Sequence, residues 1–274
     1  GRPRPSSAVL GHHPAFLLGS GMRVPYETDE YRVIGALLGE PLKVVPSITW
    51  GDELLVPAEA EAVIEGEILP WRLEPEGPFG EWTGYYSGQR QSQVLKVHAV
   101  TQRRNPILVS VFAGHRDHVT NLGWEAEILR RVKQAVPCVR AVALSPGSAG
   151  MHCYVSIDKL SDGEPKLAAL AAASVGFVKA VIVVDSDIDV FNESEVMWAL
   201  AIRFQADRDA DIVRGHLGSM LDPSMDHPRT HTVVLIDATE RKDRPYPKRL
   251  RVPQEVMDRV CLEDYVPGVE EDTR

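Results

Sequence analysis

The chain is poor in three things, and each shortage removes a class of protein. Cysteine is scarce: Cys138, Cys153 and Cys261 are odd in number, far apart and not in a CxxC arrangement. That argues against a disulfide framework or a zinc site and fits a reducing cytoplasm. Positive charge is in deficit, with 30 Lys and Arg against 39 Asp and Glu and a formal net charge of -9; the pI is near 5.5. A general nucleic-acid binder needs a basic surface to displace counterions, so nucleic acid is not expected as a partner. A small anionic ligand in a locally basic pocket remains compatible with this balance. Long apolar runs are also missing: no segment reaches the length of a membrane span, and no charged-then-apolar leader precedes a cleavage site. The expectation is a cytoplasmic protein with no membrane span and no internal repeat.

What is present is ordinary globular composition over 274 residues, 44% hydrophobic and 25% charged, enough for one large domain or two smaller ones. The Pro-rich opening GRPRPSSAVLGHHP turns apolar at Ala15–Leu18 and reads as a chain entering an existing fold. EYRVIGALL over Glu30–Leu38 has helical apolar spacing, with Gly39 as a stop. From Lys43 to Val111, short alternating runs at 60–69, 93–101 and 106–112 are separated by Gly, Pro and Asn. They predict several antiparallel strands in a compact barrel or sandwich. Asn121–Ala135 reads as an amphipathic helix ended by Pro137. Beyond it strands and helices alternate: CVRAVAL and CYVSI, helix KLAALAAASVGF, strand VKAVIVVD, helix SEVMWALAIRF, strand HTVVLIDAT. That predicts a layered α/β domain whose sheet is partly buried on both faces, so the whole chain reads as α+β / α/β. The boundary is placed within 114–120, and the tail VEEDTR is read as frayed.

One stretch carries chemistry. EGPFGEWTGYYSG, residues 76–88, sets Glu76 and Glu81 across a Gly-Pro-Phe-Gly turn and follows them with aromatics. The glycines permit close backbone approach and unusual dihedrals. A carboxyl beside apolar and aromatic groups holds its proton more tightly, as a general acid near neutral pH requires. The alternative is a hairpin tip with solvated glutamates, and with Phe79 and Trp82 tucked into the core.

The same stretch resembles the EGPFGE-x-TGYY segment of the UbiD family of reversible nonoxidative decarboxylases. SGMRVPYETDEYRVIGALLGEPLKVV, VPAEAEAVIEGEI, VVDSDIDVFNESEVMWALAIR and LDPS also resemble family segments, collinearly from about Ala8 to Thr239. The resemblance implies a partial antiparallel split β-barrel of the flavin-reductase-like, FMN-binding type over 1–116. A linking helix over 117–137 and a carboxy-terminal α/β domain with an oligomerisation role over 138–274 follow. It implies decarboxylation or carboxylation of an aromatic, heteroaromatic or α,β-unsaturated acid through a covalent adduct with prenylated FMN. Glu81 falls on the proton-transferring glutamate, and Glu76 on the glutamate that positions an arginine. Glu30 falls on the glutamate that binds Mn2+ or Mg2+ bridging to the cofactor phosphate, as hard cations favour oxygen ligands. Ser20 and Met22 fall, more loosely, on a loop near the phosphate and an accompanying K+. Trp82, Tyr85 and Tyr86 are candidates for shaping the aromatic pocket.

The family's asparagine, histidine and arginine lie upstream of the segment matched here. The expectation is therefore a homo- or hetero-oligomer with a chain supplying the missing Asn/Arg/His segment, a flavin prenyltransferase supplying the cofactor, and a carboxylic acid and CO2 as small-molecule partners. The rival reading is a noncatalytic assembly or scaffold subunit of a UbiD-like complex. His12 and His13 read as a solvated loop, and Arg23 and Arg32 stand near enough to pair with a carboxylate or phosphate.

Other constellations carry less. Asp185-Ser186-Asp187-Ile188-Asp189 lacks the Gly and Glu of a calcium loop and is read as ending a buried strand and capping the next helix. His115 and His118 lack a third ligand. Ser145–Gly150 lacks the Lys-Ser/Thr ending of a phosphate loop. Met197 and Trp198 read as core or subunit contact, and the basic run 241–251 as a solvated face.

Overall fold

The computed structural model describes residues 2–22, 24, 26–110, 121–226, 229–261 and 265. The boundary placed within 114–120, His115, His118, Arg23 and the tail VEEDTR lie outside the described residues.

The amino-terminal part runs β1 (Arg4–Leu10), α1 (Pro14–Gly21), α2 (Glu30–Leu38), β2 (Val44–Ser47), β3 (Gly51–Pro57), β4 (Ala62–Glu76) and β5 (Arg90–Gln102). Helix α2 forms over its expected residues because both ends are specified locally. The Asp29 carboxylate accepts from Tyr31 N at 2.9 Å, and Gly39 leaves the helix at φ 77°. Strands β1, β4 and β5 make an antiparallel sheet in that order, and β2 pairs with β3. Glu65, 1% exposed, ties the two sheets together. Its carboxylate accepts from Ser47 Oγ at 2.6 Å, Ile48 N at 3.2 Å and Thr49 N at 2.9 Å. Burial raises its pKa, but these bonds outweigh burial and hold it below the usual carboxylate range.

Arg4–Leu10, for which no element was read, forms a strand whose ladder with β4 accommodates Pro5 at a sheet edge. One expectation fails in this part. The strand expected over 106–112 does not form at 106–110, where Ile107, Leu108 and Val109 are 75%, 57% and 71% exposed. There the backbone is engaged by a side chain instead, with Ile107 N donating to Glu61 Oε2 at 3.0 Å. Residues 111 and 112 lie outside the described residues.

The rest of the first compact unit, which spans Gly1–Thr239, contains α3 (Asn121–Ala135), β6 (Val139–Leu144), β7 (His152–Ile157), α4 (Glu164–Ala173), β8 (Ala180–Asp185), α5 (Glu193–Arg203), β9 (Ala210–Leu217) and β10 (Thr230–Asp237). The sheet order is β6-β7-β8-β10-β9, parallel at β7–β8 and β8–β10 and antiparallel at both margins. Val155, Val181, Val183 and Val233 pack on one face with Ile128 and Val132 of α3 and Ala168, Ala169 and Ala172 of α4. Tyr154, Ile182 and Val184 pack on the other with Val196 and Ala199 of α5. Burial on both faces explains the unbroken apolar run of β8.

The aspartates after β8 do not cap α5. Asn192 does, its side chain accepting from Ser194 N at 3.1 Å. Asp185 and Asp187 instead reach the far end of that helix, where buried Arg203 lies 3.3 and 2.8 Å from them. A buried guanidinium requires such partners, and that requirement takes precedence over the local cap. The second compact unit, Glu240–Arg274, contains α6 (Gln254–Met257) and an Arg241–Asp243 ion pair at 2.9 Å.

Candidate active site

The carboxylate turn is built from its own backbone. β4 ends at Glu76 and β5 begins at Arg90, and these two residues are ladder partners. Between them Gly77 sits at φ 84° before a cis bond to Pro78. A side chain at Gly77 would be strained at that φ, and its Cβ would stand 3.1 Å from Ser87 Oγ. Ser87 N donates to Phe79 O at 2.8 Å, Glu81 N to Tyr85 O at 2.9 Å and Gly84 N to Glu81 O at 2.9 Å. Both backbone polar groups of Glu81 are thus used within the turn, which fixes the Cα from which its half-buried carboxylate projects.

That carboxylate lines a cleft of about 450 Å3. Glu81, Trp82 and Arg90 come from the turn and its exit strand, and Asn121 and Trp124 from α3. Phe177 follows α4, and Leu217–Leu221 with Arg229 belong to the β9–β10 hairpin. Trp124 and Phe177 meet edge to face, their centroids 5.1 Å apart. The cleft combines aromatic surface, two guanidinium groups and one glutamate.

Glu76 is exposed and held by its own hairpin. Its Oε2 accepts from Ser92 Oγ at 2.6 Å and from Arg90 Nε at 3.0 Å. The Ser92 bond, then the Arg90 guanidinium, hold the carboxyl below its usual range. Arg90, held by Glu76, lines the same cleft as Glu81. The other sequence-predicted site residues stand elsewhere. Ser20 is exposed in the last turn of α1, donating to Leu17 O at 3.0 Å. Met22 lies against α3, its Cγ 3.1 Å from where a β-carbon on Gly123 would stand. Glu30 is exposed in the first turn of α2. None of these three is among the cleft-lining residues. Among the described residues no group of three or more His, Cys, Asp or Glu is arranged to hold a metal ion, and no helix is long and apolar enough to cross a membrane.

Tyr85 and Tyr86 are 63% and 80% exposed and do not line the cleft. Trp124 and Phe177 supply its aromatic surface together with Trp82. The sequence signal for Arg90 was its position at the far end of the turn, opposite Glu76 in a hairpin register. Nothing local marked Trp124 or Phe177.

An α/β chain whose carboxylate turn meets a cleft completed by a second, mixed sheet can be compared with known proteins. Residues 1–116 match the 3-octaprenyl-4-hydroxybenzoate carboxy-lyase Rift-related domain, and residues 118–238 match the 3-octaprenyl-4-hydroxybenzoate carboxy-lyase C-terminal domain. The chain belongs to the UbiD family. It is 38% identical over 252 residues to the anhydromevalonate phosphate decarboxylase of Methanocaldococcus jannaschii, covering 89% of this chain and 59% of that protein. It is 35% identical over 247 residues to the phenolic acid decarboxylase of Sedimentibacter hydroxybenzoicus, covering 87% and 51%. The UbiD-class enzyme HmfF from Pelotomaculum thermopropionicum in complex with FMN superposes with a TM-score of 0.90 at 40% identity, covering 97% of this chain and 60% of that one. An evolved dimeric form of that enzyme with prFMN gives 0.84 at 37% identity, covering 97% and 58%. The chain thus spans between about half and three-fifths of the length of these curated relatives.

Proposed function

We propose that this chain carries the proton-transferring turn and much of the substrate cleft of a UbiD-class decarboxylase. The substrate class is an aromatic, heteroaromatic or α,β-unsaturated carboxylic acid, and the reaction is reversible and nonoxidative. The observation that carries this reading is Glu81, whose backbone is locked within the turn and whose carboxylate borders a cleft lined by Trp82, Trp124 and Phe177. The relatives named for anhydromevalonate phosphate and for phenolic acids support a carboxylic acid substrate.

In this reading the bond from the substrate carbon to its carboxylate breaks, carbon dioxide leaves, and the Glu81 carboxyl gives a proton to that carbon. Carboxylation is the reverse, with Glu81 taking the proton. Arg90 and Arg229 supply positive charge that suits an acid substrate. Glu76 is a positioning residue: it holds Arg90, and Arg90 borders the same cleft as Glu81. Arg90 is the partner of Glu76 within this chain, and the family's arginine is still assigned to the segment that brings Asn and His.

The aromatic walls and guanidinium groups fit a flat ring system that carries negative charge. Prenylated FMN, when bound, supplies the electron sink for the released pair. Ser20 and Met22, at the end of α1, and Glu30, at the start of α2, are assigned toward its phosphate end, and we read the two antiparallel sheets as part of a split barrel. The described residues do not fit a metal centre by themselves. Glu30 is a single exposed carboxylate, its neighbour Asp29 is engaged at the helix cap, and no third ligand joins them. The remaining ligands of Mn2+ or Mg2+ are assigned to the polypeptide segment that brings the family's Asn and His.

One observation favours the assembly reading as an additional role. On and before α5, Phe191, Met197 and Ile202 are 73%, 53% and 60% exposed, which suits a subunit contact. The two readings separate when the chain is coexpressed with a flavin prenyltransferase and a polypeptide carrying that segment. The complex should bind prenylated FMN by absorbance and mass spectrometry, and Glu81→Gln should remove carbon dioxide release and solvent-deuterium exchange. Unchanged turnover in Glu81→Gln would refute the acid assignment, and a complex that assembles but never binds cofactor would favour the scaffold.

A further inference from the structure

The hairpin wall of the cleft rests on a histidine pair that the proposed chemistry does not use. His216 of β9 and His231 of β10 are ladder partners, just before a register shift. Their rings stack with centroids 5.3 Å apart at 21°, and His216 Nδ1 lies 3.2 Å from His231 Nε2. His231 is 4% exposed, and its Nδ1 is buried without a hydrogen-bond partner.

Two ring nitrogens at this separation share one hydrogen: one ring donates and the other accepts. If both rings were doubly protonated, two N–H groups would point at each other in a site with little water. Burial first, then His216 and Lys179, hold His231 below the usual imidazole value, with Asp222 acting in the opposite sense. Lys179 precedes β8, and Asp222 follows β9. Lys179 Nζ lies 2.8 Å from Asp222 Oδ2 and donates to Ser224 Oγ at 2.5 Å, so the nearest carboxylate already has a cation. The remaining charged groups described on the hairpin are Asp211, Arg214, Asp226, Arg229 and Asp237.

The pair stands where both arms of the hairpin leave the sheet for the cleft. Leu217–Leu221, which line it, follow His216 directly, and His216 Nδ1 is also 3.2 Å from Leu217 O. Arg229, which lines it too, precedes His231 by two residues, and its carbonyl accepts from Gly218 N at 2.8 Å.

We propose that the His216–His231 pair is a positioning latch: one hydrogen shared between the rings holds Leu217–Leu221 and Arg229 in the cleft wall, and protonation of the second ring releases them. Its consequence for substrate rests on the reading of this cleft as the active site; the latch itself does not. Because His231 titrates below its unfolded value, the opened hairpin takes the extra proton first. The latch therefore contributes fully above about pH 6.5 and is lost as pH falls below that value.

Amide hydrogen exchange of the full chain, corrected for intrinsic exchange rates, tests the latch without turnover. From about pH 7.5 to about pH 5.5, peptides covering Gly215–Leu221 should lose about tenfold in protection, and peptides of β7 and β8 less than about twofold. The double variant His216→Gln/His231→Gln, with no titrating ring, should hold its protection over the same range to within about twofold. His216→Gln alone serves if the double variant fails to fold, because a protonated His231 can donate to the amide oxygen; it too should change by no more than about twofold. Equal loss across β7 and β8, or the wild-type pH response retained in either variant, overturns the proposal. In the reconstituted enzyme, KM should rise on the acid side more than kcat falls, and the double variant should lose that rise. Exchange results as expected in samples that never turn over would count against the decarboxylase reading and leave the latch standing.

Discussion

Strands β8 and β5 use burial in opposite ways. β8 is buried from Ala180 to Val184 and runs parallel to neighbours on both sides. β5 has no buried residue, leaves Val97 51% and Val100 61% exposed, and lies at the margin of its sheet. Each valine wholly buried in β8 contributes about 2 kcal/mol of apolar transfer. β5 depends instead on its ladder with β4 and on cross-strand ion pairs, Arg90–Glu76 at 3.0 Å and Lys96–Glu67 at 3.3 Å. Such pairs, each with at least one exposed partner, are worth little singly. Stability is thus concentrated in the mixed sheet, while the strand carrying Arg90 and the turn carrying Glu81 are held by local geometry.

Substitutions can break that division of labour or sharpen it. The largest effect should come from Glu81→Gln, which should cost about a hundredfold to ten-thousandfold in decarboxylation by the reconstituted enzyme while leaving the urea midpoint unchanged. Val183→Ala, at 0% exposure, should reverse the pattern, costing about 2 to 3 kcal/mol in urea denaturation with site chemistry preserved in the folded fraction. Arg90→Gln should lower kcat/KM about tenfold, equivalent to about 1.4 kcal/mol. Its stability should move by less than about 0.5 kcal/mol, since both partners of the Glu76 pair are about half exposed.

A pH test reaches the mixed-sheet side. The Arg130 guanidinium, against burial and joined by Arg131, holds the Glu127 carboxyl down to about 2. A depressed carboxyl contributes stability above its unfolded value of about 4.5, and that contribution is lost as pH falls toward the folded one. Glu127→Gln should therefore cost about 1 kcal/mol near neutral pH, discounted for the exposed Arg130, and progressively less in urea titrations below about pH 4. The smallest effect should be that of Val97→Ala on β5, under about 0.5 kcal/mol. A cost as large as that of Val183→Ala would mean that the exposed face of β5 is covered in the working protein.

Elements with local signals were legible. Glu30–Leu38 and Asn121–Ala135 form helices over the residues read for them, the first because Asp29 and Gly39 specify its ends. The apolar run of β8 announced a strand buried on both faces. β1 and β9 went unread because each is an edge strand of mixed polarity, one with Pro5 and the other with Arg214 and Gly215, and only pairing with a neighbour makes them strands. The converse error, at 106–112, took apolar alternation for a strand where the described residues engage a side chain instead of a ladder.

The site divides along the same line. Glycine, proline and hydrogen bonds within thirteen residues are sufficient to build the turn of 76–88, so the sequence by itself determined that Glu81 would sit on a fixed backbone. Only the tertiary structure decided what Glu81 faces. Trp124, Phe177, Leu217 and Arg229 are distant in sequence and converge because α3, α4 and the β9–β10 hairpin pack as one unit with the turn. It also decided that Arg90 would hold Glu76, and that Tyr85 and Tyr86 would stay at the surface. Local interactions act between neighbours in the chain and leave a pattern there. Long-range ones depend on sheet register and helix packing, which a linear pattern does not contain.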